Sequence, residues 1–166
     1  MLKSVIGMKN KGFTLIEILV VILIIGITLG FALLAFGDFG GKRRIVIAAE
    51  QFVNYVKFIQ QEAILETGTL GITFDKNGYY VMRFAPPKKW LPMPPKSVFH
   101  QQHFPSNAVV HLESSLNKTG EPQIIINAAG DMTAFKLNFG SNKQMNIADV
   151  IGERDGTIVL QVLDTP

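Results

Sequence analysis

The chain has 166 residues, with 16 Lys and Arg against 13 Asp and Glu and a formal net charge of +3. It contains no cysteine, which excludes disulfides and thiolate metal sites. The basic excess is local: without Lys3, Lys9 and Lys11, which precede residue 12, 13 basic residues balance 13 acidic ones. Nucleic-acid binding requires a concentrated basic surface, so this charge distribution argues against that class of function.

The first predicted element is a membrane-spanning helix over residues 15–36. Its roughly 22 residues contain one charge, Glu17, and at about 1.5 Å each they cross a hydrocarbon core of about 30 Å. An ionisable group in hydrocarbon costs roughly 2.5 kcal/mol or more unless it is paired, so Glu17 is a candidate functional residue that needs a partner. The basic residues before the helix match the positive-inside rule, but Lys42, Arg43 and Arg44 follow it closely. Charge alone therefore leaves the orientation nearly tied.

The residues that lead into this helix carry a specific pattern, Lys11-Gly12-Phe13-Thr14-Leu15-Ile16-Glu17. The pattern resembles the processing signature of type IV pilins and pseudopilins. This resemblance implies that an inner-membrane prepilin peptidase cuts after Gly12 and methylates the new terminal Phe13. It also implies that residues 1–12 are a cytoplasmic leader, that residues 13–36 span the inner membrane in a single pass, and that the remainder lies in the periplasm. An ordinary signal anchor with a chance glutamate is the alternative.

Glu17 has a role in assembly if this processing occurs. A cut after Gly12 creates a positive α-amino group at Phe13, one helical turn away, and this amine or that of a neighbouring subunit could neutralise the carboxylate. An intermolecular pair would fix the axial register of apolar helices that otherwise slide. Gly26 and Gly30 form a G-x-x-x-G pair, which indicates either close helix packing or the ordinary frequency of glycine in transmembrane helices.

Glycines at 37, 40 and 41 interrupt the apolar run. Residues 37–68 are predicted to form the periplasmic, amphipathic half of a long helix, with Gly68 as the C′ residue. Its apolar positions recur at alternating spacings of four and three, as expected for packing on a core: Ile45, Ala49, Phe52, Val56, Ile59 and Ala63. Lys42, Arg43 and Arg44 are predicted to lie at the membrane–water boundary. They would contact lipid phosphates or an acidic patch on a neighbour, or be solvated.

Residues 69–166 are predicted to form a periplasmic antiparallel β domain. Strands at 70–74 and 79–84 flank an Asn-Gly turn and predict a hairpin. The proline-rich stretch 85–95 cannot be a central strand and is predicted to be an exposed, stiff loop. Further strands are predicted at 108–113, 123–127, 133–139, 145–151 and 157–163. A helix followed by hairpins makes the fold class α+β, and the resemblance implies the pilin-like arrangement, in which the long helix packs on the sheet.

Two later stretches resemble the H-type minor pseudopilin of type II secretion. The first is Gly78-Tyr79-Tyr80-Val81 with Trp90-Leu91-Pro92 after it, and the second is Ile124-Ile125-Ile126 followed by residues 130–137. The resemblance implies a structural subunit of a periplasmic pseudopilus without a cofactor. Its implied partners are the major pseudopilin, other minor pseudopilins, prepilin peptidase, the inner-membrane assembly platform with its ATPase, and membrane lipid.

The alternative from another class is a minor type IV pilin of a pilus or DNA-uptake system. Such a protein would display basic loops, and Lys88, Lys89 and Lys96 form the one loop cluster in the sequence that could bind DNA. The last predicted turn, residues 152–156, mixes acidic and basic side chains instead. Nucleic acid is therefore the disfavoured partner.

No enzymatic motif accompanies these features, so no catalytic residue is assigned and no enzyme activity is predicted. His100 and His103, with His111 nearby, lack the preorganised spacing of metal ligands on a helix or strand, and no metal site is assigned. A set of three acidic residues could gather around a calcium ion, but the set lacks EF-hand spacing, and a solvated turn is the favoured interpretation. That set consists of Asp149, Glu153 and Asp155.

Overall fold

The computed structural model describes residues 13–36, 39–76, 78–94, 97–116 and 120–163. The chain divides into two compact units, Met1–Phe39 and Gly40–Pro166. Several residues that carried predictions lie outside the described ones: Lys3, Lys9, Lys11, Gly12, Asn77 and Lys96.

Two long helices come first in the chain. Helix α1, Leu15–Phe36, has 22 residues, and all of them are apolar except Glu17 and Thr28. Helix α2, Phe39–Leu65, has 27 residues and alternates buried with exposed positions. Because α2 begins at Phe39, the glycines at 40 and 41 are helical.

The end of α2 corrects one prediction. The N–H of Gly68 donates to the carbonyl of Ala63 at 3.0 Å, and that of Thr67 donates to the carbonyl of Ile64 at 3.2 Å, which is the Schellman pattern. Thr67 has a φ of 50° and is the left-handed C′ residue. Gly68 as C′ is therefore wrong by one position, since Gly68 supplies the next N–H and leads the chain into the first strand.

Nine strands follow among the described residues: β1 Leu70–Phe74, β2 Gly78–Ala85, β3 Lys89–Pro92, β4 Gln102–His103, β5 Ala108–Ser114, β6 Ile124–Ile126, β7 Phe135–Ser141, β8 Ala148–Gly152 and β9 Ile158–Val162. They form two antiparallel sheets. The first sheet has the order β3-β2-β1-β6, with β4 also paired to β2, and the second has the order β5-β7-β8-β9.

Strand β3 corrects the prediction that the whole proline-rich stretch is a loop. It pairs with β2 in the register Phe84↔Trp90 and lies at the edge of the first sheet, where a proline at the strand end is tolerated. The prediction that this stretch is not a central strand is confirmed. The seven predicted strands all form, with ends shifted by up to three residues, whereas the two-residue strand β4 was not predicted.

Helix α2 packs on both sheets and makes the core of the second unit. The six stripe residues predicted from periodicity are all fully buried, which confirms that prediction. Phe52 lies at the centre: its ring is 5.1 Å from Tyr79 and 5.8 Å from Phe74 in the first sheet, and 6.2 Å from both Phe135 and Phe139 in the second. A helix packed on antiparallel sheets confirms the α+β fold class.

Candidate processing and assembly site

The start of α1 is a capped helix terminus. The N–H of Glu17 donates to the carbonyl of Thr14 at 3.0 Å and lies 3.4 Å from the Thr14 hydroxyl oxygen. Thr14 and Glu17 are three residues apart, which is the spacing of a capping box. The T-x-x-E pattern indicates this cap, which the Thr14 hydroxyl forms and which was not predicted. An acidic residue in the first turn also interacts favourably with the helix dipole.

Phe13 precedes this cap, and its side chain is 75% exposed. Glu17 is exposed one turn further along the chain and has no ion-pair partner among the described residues. The candidate cleavage position, Gly12, lies outside the described residues. The local geometry therefore leaves the carboxylate accessible to a cation that comes from another molecule or from a new terminus at Phe13.

The surface of α1 is apolar on every side. Its large hydrophobic side chains from residue 15 to residue 33 are between 43% and 83% exposed. Leu15–Leu33 is long and apolar enough to span a membrane, with a mean hydropathy of 2.8, and none of it is buried. The hydroxyl of Thr28 donates to the carbonyls of Ile24 and Ile25, both at 3.0 Å, so this polar group is satisfied within the helix, as hydrocarbon requires.

Gly26 and Gly30 lie four residues apart on one face of α1. A Cβ built at either position would meet no other atom within 4 Å. No contact within the described structure therefore requires glycine at these positions. A close approach by a helix from another subunit would require it.

Lys42, Arg43 and Arg44 lie near the start of α2. Arg43 and Arg44 are exposed and Lys42 is partly buried. Cations at this end of a helix are not favoured by its dipole, which stabilises negative charge there. Neither arginine has an ion-pair partner among the described residues.

The His, Asp and Glu residues that were considered as metal ligands do not come together in the described part of the chain. No group of three or more His, Asp or Glu side chains that could hold a metal occurs in the described part of the chain. Asp149 is buried in β8, where it pairs with Lys136 at 2.9 Å and accepts a hydrogen bond from Asn138 at 2.7 Å. Asp155 accepts a hydrogen bond from the N–H of Thr157 at 2.9 Å in the turn before β9.

The titratable groups with shifted pKa values lie in the second unit and have local causes. Burial raises the pKa of Tyr55 to about 12. Burial, and then the nearby Tyr55, raises the pKa of Tyr79 further. The hydrogen bond to Asp149 raises the pKa of Lys136, and the Thr157 N–H lowers that of Asp155. These shifts follow from burial in the core, from strand pairing and from the turn before β9.

An apolar N-terminal helix, followed by an amphipathic helix packed on antiparallel sheets, defines a pilin-like subunit. Two family models match the chain: the prokaryotic N-terminal methylation motif over residues 7–33, and type II transport protein GspH over residues 48–156. The second match covers more than half of the chain. The chain therefore belongs to the GspH family of type II transport proteins, the H-type minor pseudopilins.

Proteins named type II secretion system protein H are similar to this chain along most of their length. Type II secretion system protein H of Pseudomonas aeruginosa is 27% identical over 144 residues, which are 77% of this chain and 81% of that protein. The protein of the same name from Escherichia coli K12 is 26% identical over 138 residues, or 78% of this chain and 80% of that protein. The predicted function, a minor pseudopilin of type II secretion, is confirmed, and a DNA-uptake pilin is not favoured.

Solved structures confirm the fold. The minor pseudopilin EpsH of Vibrio cholerae superposes with a TM-score of 0.61 at 19% identity and covers 72% of this chain and 96% of its own. The solution structure of Escherichia coli GspH gives 0.62 at 17% identity, with 74% and 90% covered. These similarities establish the pilin-like α+β architecture.

Proposed function

We propose that this minor pseudopilin is cut after Gly12, is held in the inner membrane by α1 with its second unit in the periplasm, and then joins a pseudopilus through the same helix. The observation that carries the proposal is the surface of α1, which is apolar on all sides and not buried by the rest of the chain. Such a helix requires lipid or other apolar helices around it. A structural role accounts for these features, and the proposal includes no catalytic residue and no cofactor.

Assembly exchanges lipid contacts of α1 for contacts with the helices of neighbouring subunits. Packing and polar contacts then determine helix association, because lipid is as apolar as the helix surface. The Gly26 and Gly30 face permits close approach. The carboxylate of Glu17 pairs with the α-amino group of a processed Phe13 and so selects one axial register.

The partners proposed for this pathway act at successive stages. Prepilin peptidase removes the leader, the assembly platform and its ATPase take the subunit out of the bilayer, and the major pseudopilin and other minor pseudopilins surround α1. Lys42, Arg43 and Arg44 contact lipid phosphates at the membrane boundary before assembly.

Processing is tested by replacing Gly12 and measuring intact mass after membrane extraction. The wild-type chain should lack residues 1–12 and carry one methyl group on Phe13. Gly12→Ala should retain the leader and the methionine terminus. Gly7→Ala is the matched control, because it changes another leader glycine and should leave processing intact. A Gly12→Ala chain with the same mass as the wild type would disprove cleavage at this position.

The register role of Glu17 is tested separately from the helix cap that Thr14 forms. Glu17→Gln keeps the capping-box chemistry but removes the charge, whereas Thr14→Ala removes the cap, at about 1 kcal/mol of helix stability, and keeps the charge. We expect Glu17→Gln to abolish incorporation into pseudopili and protein secretion, and Thr14→Ala to have a small effect. Normal assembly of Glu17→Gln would contradict the charge pairing.

A further inference from the structure

Strand β9 leaves one edge of the second sheet unpaired. The strand bonds to β8 on one side, and no described strand lies on its other side. In an antiparallel ladder, alternate residues direct both backbone groups to the same neighbour. Just beyond the strand ends, the N–H of Leu163 donates to the carbonyl of Ile147 at 2.8 Å, so the odd-numbered residues bond to β8. The even-numbered residues direct their N–H and carbonyl groups to the free edge: Ile158, Leu160 and Val162.

These outward backbone groups make no hydrogen bond to any residue that the structure describes. They form a row in which donors and acceptors alternate, and groups of the same kind recur every second residue, at about 6.8 Å. A lipid headgroup does not repeat donors and acceptors at this spacing. The backbone of an extended polypeptide does, so the free edge matches a further strand.

The other edge strands carry features that oppose strand addition. Charged side chains, prolines and short length block pairing at sheet edges. Strand β3 ends in Pro92 and contains Lys89, and β5 contains Glu113. Strands β4 and β6 have two and three residues, and the carbonyl of Ile125 in β6 already accepts a bond from the N–H of Thr133 at 2.9 Å. Strand β9 has no such protection, since its sequence is Ile-Val-Leu-Gln-Val.

The side chains along this edge are apolar on both faces of the sheet. Ile158 and Leu160 pack against the core but stay partly exposed. Val159, on the outer face, is 43% exposed. The charged residue that lies opposite β9 in the strand register is Asp149, which is buried and paired with Lys136 at 2.9 Å. A strand added here would therefore meet apolar side chains and no unpaired charge along the length of β9.

We propose that the free edge of β9 binds an extended, uncharged segment of another polypeptide by strand addition. The backbone of this segment bonds to the outward groups of β9, and its apolar side chains, at every second position, cover Ile158 and Leu160. In this mode of recognition the backbone bonds supply affinity and the alternate side chains supply specificity. The proposal concerns the second unit alone and does not depend on cleavage after Gly12.

The free edge itself is tested by hydrogen exchange, measured by NMR on the full-length chain in detergent micelles. The even-numbered N–H groups of β9 should exchange faster than those of Val159 and Gln161, which bond to β8. Equal exchange at odd and even positions would show that the edge is covered within the chain, and would overturn the proposal.

The partner is tested by photo-crosslinking in a bacterium whose secretion depends on the full-length chain. Gln161, which is exposed on the outer face of β9, is replaced by benzoyl-phenylalanine. The matched control carries the same group at Val109, which is 43% exposed on β5 at the opposite edge of the sheet. We expect an adduct from position 161 alone. Mass spectrometry should identify a different polypeptide, crosslinked in an uncharged segment that is apolar at alternate positions.

Two variants at one position separate strand addition from mere proximity. Val162→Pro removes an outward N–H that β8 does not use, so it should lower the adduct yield about tenfold. Val162→Thr keeps that N–H and should leave the yield unchanged. Both variants should melt within about 5 °C of the wild type. If the proline variant unfolds, Val159→Lys decides, because it keeps every backbone group and should lower the yield by placing a charge beside the added strand.

The outcomes that overturn the proposal are specific. They are an adduct with lipid, nucleic acid or a second copy of this chain, a crosslinked segment that carries charges, and a yield no higher than that at Val109. A yield that Val162→Pro and Val159→Lys leave unchanged, or that Val162→Thr lowers as much as Val162→Pro does, would also overturn it.

Discussion

The two helices follow each other in the chain, and both contain apolar residues in many positions. They differ in burial: α2 buries its apolar stripe, whereas α1 leaves its large apolar side chains exposed. The large side chains of α1 up to residue 33 are at least 43% exposed, whereas the apolar stripe of α2 is fully buried. The helices differ in both the number and the distribution of their apolar residues: Ile, Val or Leu occupies 14 of the 22 positions of α1 on all sides, and 8 of the 27 positions of α2. A striped helix completes its own domain, and a helix that is apolar on all sides depends on an environment that other molecules provide.

Their polar groups differ in the same way. Thr28 in α1 directs its hydroxyl to carbonyls of its own helix. Gln60 in α2 instead reaches across the domain, and its Nε2 donates to the carbonyls of Gly130 at 2.7 Å and Gly156 at 3.1 Å. The polar group of α1 is hydrogen-bonded within its own helix, whereas the side chain of Gln60 in α2 holds two loops of its domain together.

The largest expected effect is that of Phe52→Ala in α2. The substitution leaves a cavity where four rings from both sheets converge, so it should lower the free energy of unfolding by about 3 to 5 kcal/mol. Phe58→Ala is the control, because Phe58 is 38% exposed and its ring stacks on the ring of Phe99 at 5.2 Å. Thermal denaturation compares the two. Equal losses would mean that the stripe does not dominate the stability of the domain.

Gly156→Ala should come next, at about 2 to 4 kcal/mol, since a left-handed backbone and a steric clash add. Gly156 has a φ of 85°, and an added Cβ would lie 2.4 Å from both the Gly130 carbonyl oxygen and Gln60 Nε2. Gly120→Ala isolates the backbone cost, because Gly120 has a φ of 86° and open space around it. If chemical denaturation gave the same loss for both, the contact with α2 would be unimportant.

Gln60→Ala should cost less, about 1 to 3 kcal/mol, because two half-buried carbonyls lose their donor. Gln61→Ala changes the neighbouring, exposed glutamine and should cost less than about 0.5 kcal/mol. Hydrogen exchange of the loops around residues 130 and 156 should accelerate in the first variant alone. Unchanged exchange in Gln60→Ala would show that the loops are held by other contacts.

Periodicity was sufficient to predict the buried face of α2, because a regular stripe has one way to meet a core. The hairpin of β1 and β2 was likewise encoded locally, in its turn residues. The order of the strands within the sheets was not encoded locally, because β6 pairs with β1, and β5 with β7, across long stretches of chain. Such pairings depend on which surfaces meet after collapse, and no local signal states them.

The errors arose where tertiary contacts override a local preference. Proline indicated a loop at residues 85–95, but the free edge of β2 accepts Lys89–Pro92 as a short strand. The pattern around the candidate assembly residues Phe13 and Glu17 could be recognised in the sequence. The solvent exposure of their side chains could not. The cap that the Thr14 hydroxyl forms on the Glu17 N–H was not predicted, although the T-x-x-E pattern indicates it.

The smallest expected effect on folding is that of Phe31→Ala in α1. This phenylalanine is 69% exposed, so its loss should change the free energy of unfolding of the second unit by no more than about 0.5 kcal/mol. The measurement uses the full-length chain in detergent micelles, with Phe52→Ala in the same micelles as the comparison. The two substitutions remove the same ring from consecutive helices. A loss for Phe31→Ala that approaches that of Phe52→Ala would mean that α1 contributes to the core of the domain, and the contrast between the helices would no longer hold.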